Sequence, residues 1–274
     1  LTSLESGSTA ERWASIGTGV PPRVHGVHAV EGVRIAHGRH LLQNVSAVDI
    51  LLRTAGRREP LPPTVRRRDF VWEIFARRSV TSLSVNWWTT DDVRNGALDE
   101  IGQASIFTAA AGDAVAVDTG AARRTVASVD RDHPLFATVY LPALDVLLNR
   151  QVLDPSARLA ASVRALDALR DTVAAMRSRR YDVIVIGLPG DRQSGVPLLA
   201  STISFPPRRG SPYDLAPTLC SLMGFPASNE MTGASLVPES QPRIATYGAR
   251  SNRNENVKVN EEYYQNLKSL GYIR

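Results

Sequence analysis

Apolar positions along the chain fall into two patterns. The runs SVTSLSV (79–85), LFATVYL (135–141), YDVIVIG (181–187) and PLLASTIS (197–204) are rich in β-branched and apolar residues. That is the composition of strands buried in a mainly parallel sheet. Segments with helical spacing separate some of them. Asp154 and Pro155 form a cap followed by proline at the first helical position, and Leu159, Val163, Leu166, Leu169, Val173 and Met176 then fall on one stripe, predicting a helix that leads into the strand at 181. SPYDLAPTLCSLMG predicts a second helix, with Ser211 as cap, Pro212 at N1 and Gly224 as the stop, and NEEYYQNLKSLG predicts a third between Asn260 and Gly271. The alternation of strand and helix predicts a layered α/β/α fold with a largely parallel central sheet, and the absence of repeats or low-complexity stretches predicts a single domain over 1–274.

Composition narrows the function classes. At 274 residues, 43% hydrophobic and 22% charged, the chain is long enough to bury a large core. The single cysteine, Cys220, excludes an internal disulfide and a cysteine-rich zinc site. No run of about 18 apolar residues is present, so no membrane span is expected. The net charge of +5 raises the question of an anionic partner, but much of the excess lies in RTAGRREPLPPTVRRRD (53–69), whose prolines predict an exposed, solvated loop, and no nucleic-acid partner is expected.

The candidate chemistry lies near the amino terminus, in SGSTAERWASIGTGVPPRVHGV (6–27). Thr9 stands at the mouth of a helix predicted over about 10–17, where unpaired backbone amides and the positive end of the helix dipole favour an anion such as a phosphate or sulfate ester. Read alone, it is also an ordinary helix N-cap. Thr9, Trp13, Thr18, Gly19, Pro22, His25 and Gly26 together resemble the alkaline phosphatase superfamily, and within it the bacterial branch of the type I phosphodiesterase and nucleotide pyrophosphatase family. FVWEIFARRSVTSLSVNWWTTDDVRNG, LFATVYLPALDVLLN, SPYDLAPTLCSLMGFPASNEMTGASL and NLKSLGYI resemble further family segments in the same order.

The resemblance implies an alkaline-phosphatase-like fold and hydrolysis of phosphoric esters by Thr9 as nucleophile. It also implies two zinc ions held by three aspartates and three histidines. Such a metal pair acidifies the nucleophile and neutralises the charge of the transition state. Asp145 matches one ligand, but its expected histidine partner is Asn149, and the expected Asp-His pair after YDVIVIG is Leu188 and Pro189. Asp191 is the nearest match to the last ligand histidine, and all five histidines precede residue 134. The family's first strand, with its aspartate, has no room in the eight residues before Thr9, so the domain is expected to lack it and to leave apolar surface uncovered on the Thr9 side. The remaining donors, Thr9, Asp145, Asn149 and Asp191, form an oxygen-rich set better suited to one hard divalent cation than to zinc. Trp13 and Trp88 are candidates for lining a substrate cleft, with packing as the alternative.

The expectation is thus a degenerate hydrolase with weak or no two-metal activity, taking a small phosphoric ester as ligand. The alternatives are an active metal-dependent phosphodiesterase acting through Thr9, and an interaction domain that works through its basic run. The sequence leaves compartment and oligomeric state open.

Overall fold

The computed structural model describes residues 7–35, 41–43, 56–188, 198–206, 210–250 and 261–273. The chain opens with helices α1 (Thr9–Thr18) and α2 (Pro22–His25), followed by strands β1 (Glu31–Ile35), β2 (Leu41–Leu42) and β3 (Gly56–Pro60). Next come α3 (Val71–Arg77), β4 (Ser82–Val85), β5 (Val93–Asn95), β6 (Leu98–Ile101), α4 (Gln103–Ala110), α5 (Ala114–Asp132) and β7 (Phe136–Val139). The remaining elements are α6 (Pro155–Ser178), β8 (Ile184–Gly187), β9 (Leu198–Ser201), α7 (Leu215–Leu222) and α8 (Glu261–Ser269).

The largest sheet has the order β5-β6-β4-β7. β4 runs parallel to both β6 and β7, while β5 is an antiparallel edge. Every residue of β4 is buried, because it has a strand on each side and α3 and α5 packed against it. This gives the predicted α/β architecture, with parallel pairing at its centre. β1, β2 and β3 form a separate antiparallel sheet, and β8 pairs with β9 in an antiparallel hairpin.

That hairpin departs from the expectation of one largely parallel sheet that includes the runs at 181 and 197. Among the described residues, β8 pairs only with β9 and β7 only with β4. All four residues of each are half-exposed, in contrast to β4. A cavity of about 430 Å³ is lined by β7 residues 137–139, by residues 183–187, and by Leu166, Leu169 and Met176 of α6.

α6 forms where predicted, with the Asp154 carboxylate accepting from the amides of Ser156 and Ala157, but its first half turns a different face inward, while Met176 at the end of the predicted stripe is buried. It packs on α5 through small residues, Ala161 and Ala165, while Leu159 is 67% exposed and Val163 and Leu166 are each 49% exposed. The apolar stripe was legible; its partner was not.

The basic run is corrected more sharply. Gly56–Pro60 of it is strand β3, registered along β1, and Pro63–Val65 is a short 3-10 turn, so the run is not simply a solvated loop. Arg66 is fully buried, with its guanidinium stacked 3.6 Å from the Phe70 ring centre and donating to Glu73 Oε2 at 2.5 Å. Glu73 also receives the Phe70 amide and the buried Arg250. Burial alone would raise the Glu73 pKa, but Arg66 and Arg250 outweigh it and hold the carboxyl down at about 2. Arg68 pairs with Glu230 and Arg58 with Glu31. These cations hold the fold together.

Candidate functional site

Ser8 caps α1, its Oγ accepting from the Glu11 amide at 3.1 Å, so Thr9 is the first helical residue and not the cap. The helix buries Ala10, Ala14 and Ile16, and Thr9 itself is only 4% exposed. At the other end Thr18 Oγ1 donates to the Ala14 carbonyl at 2.7 Å, and Gly19, at φ +72°, closes the helix. A Cβ on Gly19 would lie 2.7 Å from the Ala216 Cβ and 3.0 Å from Met231 Cγ, and the Gly19 carbonyl accepts from the Thr232 amide. The Thr-Gly, Ala-Pro-Thr and Met-x-Gly segments noted in the sequence therefore meet at one close helix contact. They align α1.

His25 is a structural residue of the same region. It is fully buried, its Nδ1 accepts from the Val27 amide at 3.1 Å, and its Nε2 consequently carries the proton donated to Ser15 Oγ at 2.9 Å. Burial, then the nearby His28 and Arg66, lower its pKa to about 3 and keep it neutral.

Asp145 is delivered by the turn after β7. Asn86 Nδ2 donates to the Tyr140 carbonyl at 2.8 Å, and the buried Asp118 carboxylate accepts from the Ala143 amide at 3.0 Å, which together fix the turn. Burial pushes the Asp118 pKa well above the ordinary carboxylate range, and the single amide bond only partly opposes this. A helical turn at Ala143–Asp145 continues into a π turn over Val146–Arg150, closed by the Gln151 amide on the Val146 carbonyl at 2.9 Å. Wide turns of this kind re-aim the side chains that follow.

The π turn brings Arg150 back onto the site. Its Nε donates to Asp145 Oδ2 at 2.9 Å and its Nη2 donates to Thr9 Oγ1 at 2.5 Å, while Asn149 Nδ2 donates to Asp145 Oδ1 at 3.1 Å. The guanidinium lies 4.4 Å from the Tyr272 ring centre. Gly271, at φ +77°, allows this approach, since a Cβ there would come within 3.0 Å of the Arg150 Cβ.

Thr9, Arg12, Trp13 and Asp145 line the cavity described above, so Thr9 and Asp145 are brought together as the sequence predicts. Trp13 packs between Trp87 and Tyr140, at ring distances of 5.5 and 5.0 Å. Trp88 is buried against Tyr140 and Tyr272, and it is Trp87 that faces the cavity. Asp191 lies outside the described residues. The residue missed in the sequence is Arg150; its only signal is an arginine next to Asn149.

The donors described here do not fit a pair of zinc ions. Both Asp145 oxygens are taken by side-chain donors, one of them a guanidinium, and the Thr9 oxygen accepts from the same guanidinium. Among the described residues, no group of three or more His, Cys, Asp or Glu side chains gathers to hold a metal ion. No helix of the described residues is long and apolar enough to cross a membrane.

The model of a family described as type I phosphodiesterase / nucleotide pyrophosphatase matches residues 7–187, more than half of the 274-residue chain. No curated protein matches it.

Proposed function

Because the chain belongs to the type I phosphodiesterase/nucleotide pyrophosphatase family, we propose that it is a hydrolase-derived protein that holds a phosphoric or sulfuric ester at Thr9 with weak or no two-metal hydrolysis. Members of this family are typically metal-dependent. The observation that carries the reading is the engagement of Asp145 by both Asn149 and Arg150, with Arg150 reaching on to Thr9. A carboxylate paired in this way must give up a charge-assisted hydrogen bond before it can ligate a cation. Without metal activation the threonine hydroxyl stays protonated at neutral pH and is a poor nucleophile.

The competing reading is an active metal-dependent phosphodiesterase that uses Thr9, and its support is the shared placement of Thr9 and Asp145 on one cavity. Metal content and turnover separate the two. Purified from zinc-containing medium, the protein is expected to carry substoichiometric zinc and to hydrolyse nitrophenyl phosphate monoesters and diesters at close to the background rate. Two zinc ions per chain, with a chelator-sensitive rate that disappears in Thr9→Ala, would restore the hydrolase.

A further inference from the structure

We propose that Arg150 closes a divalent-cation site from within. Its guanidinium lies between the Thr9 hydroxyl and the Asp145 carboxylate, two oxygens that a metal ion would share, and serves as their permanent counter-charge. The proposal rests on the reading of weak or absent two-metal hydrolysis and deepens it, because it names the group that stands in the cation's place.

Arg150 spans the two oxygens with one planar fork. Its Nε donates to Asp145 Oδ2 at 2.9 Å and its Nη2 to Thr9 Oγ1 at 2.5 Å, while Asn149 Nδ2 donates to Asp145 Oδ1 at 3.1 Å. Thr9 is buried and the Asp145 side chain is 22% exposed, so the carboxylate is drawn largely out of water, where it needs a cationic partner. The guanidinium keeps its charge at any pH at which the protein folds, and the Tyr272 ring, 4.4 Å away, holds it in place. A metal ion on the same oxygens would meet this fixed like charge and would have to break both donated bonds. Arg150 and a metal ion therefore exclude each other.

The two cations act differently on Thr9. A metal ion bonds to the hydroxyl oxygen and acidifies its proton, whereas a guanidinium only donates a hydrogen bond to that oxygen. Take the guanidinium away, and Thr9, Asp145 and Asn149 remain as oxygen donors, a set suited to a hard ion such as magnesium or manganese. Of the other charged side chains lining the adjoining cavity, Asp182 adds to the attraction for such an ion and Arg12 opposes it.

The test is Mn²⁺ binding, read by electron paramagnetic resonance, with thermal melting in chelator and in excess Mn²⁺. Wild type is expected to melt at the same temperature in both and to show no Mn²⁺ uptake that depends on Asp145. Arg150→Ser should melt below wild type in chelator, bind Mn²⁺ at least about tenfold more tightly than wild type, and recover part of its melting temperature when the ion is added. Adding Asp145→Asn to that variant should abolish both gains. Arg150→Gln, which is neutral and closer in size to arginine, makes the same comparison if the serine variant does not fold. Arg150→Lys keeps the charge and should stay indifferent to Mn²⁺.

Asp145-dependent uptake of Mn²⁺ by wild type would overturn the proposal. So would the absence of any gain in both neutral variants, or a gain in Arg150→Lys equal to theirs. Uptake by surface carboxylates would persist unchanged in the double variant, and this too counts against the proposal. Turnover does not enter these measurements, so the non-hydrolytic reading stands or falls separately, on the hydrolysis of phosphate esters.

Discussion

Arg150 Nη2 lies 2.5 Å from Thr9 Oγ1, joining residues 141 positions apart. The bond ties the start of α1 to the π turn that follows Asp145, and so links two segments that are separated in sequence by the whole central sheet. It gives Thr9 a structural role that does not depend on any chemistry.

Thr9→Val, which keeps the side-chain shape but cannot accept from Arg150, is expected to lower stability by about 1.5–3 kcal/mol, the range for a hydrogen bond to a charged group. Thr9→Ser should retain most of it. Urea unfolding of the three proteins measures this, and equal stability of Thr9→Val and wild type would contradict the role.

How much of this was readable beforehand differs by element. The strands at 82–85, 136–139 and 184–187 were found because their apolar, β-branched runs match the buried-strand pattern, and α6 because Asp154 and Pro155 announce its start. The direction of β9, and the face that α6 buries, depend on which neighbours are present, and composition does not encode that. Arg66 belonged to a run whose charge suggested solvent, but Glu73, seven residues on, gives it a buried partner. Arg150 was hidden for a different reason: only a π turn places a residue five positions after Asp145 back on its carboxylate.

His25 gives the fold a dependence on pH. Its folded pKa of about 3 lies below the unfolded value of 6.5, so the unfolded chain binds the proton first as pH falls. Its contribution is complete above 6.5 and is lost progressively as pH drops toward about 3. The melting temperature of wild type should therefore fall across this window more steeply than that of His25→Asn, which is already destabilised at neutral pH. Parallel curves for the two proteins would count against this.

Glu73 anchors the buried cluster around α3. Glu73→Ala leaves the guanidinium groups of Arg66 and Arg250 without their carboxylate, and removing one partner of a buried ion pair costs about 3–5 kcal/mol. Glu73→Gln keeps the shape and an acceptor and should cost less. If the alanine variant melts within a few degrees of wild type, the cluster contributes less than its burial implies.

Asp118 works in the opposite sense to His25. Its folded pKa is raised, so the native state binds the proton more tightly and stability falls as pH rises above the unfolded value of about 3.9. Asp118→Asn retains a side-chain oxygen for the Ala143 amide and removes the acid. The variant should gain stability over wild type at about pH 8 and lose that advantage near pH 4. A constant difference at both values would mean that Asp118 is not titrating in this range.

The opening between β7 and β8 makes a separate prediction. Leu159 and Val163 present apolar surface on α6, and Leu166 and Leu198 carry it into the cavity. Contiguous apolar patches of this kind bind hydrophobic dyes and promote association. The folded protein should therefore enhance the fluorescence of anilinonaphthalene sulfonate at neutral pH, before any unfolding transition. Leu159→Lys combined with Val163→Lys should reduce that signal and any self-association while changing stability by roughly 0.5 kcal/mol or less per site, as expected of exposed positions. Ala165→Leu, which forces bulk into the tight α5–α6 contact, should cost about 1–3 kcal/mol. If instead the two lysines destabilise the protein more than the buried leucine does, then it is the stripe and not the alanine face that packs against α5, and the orientation of α6 described here is reversed.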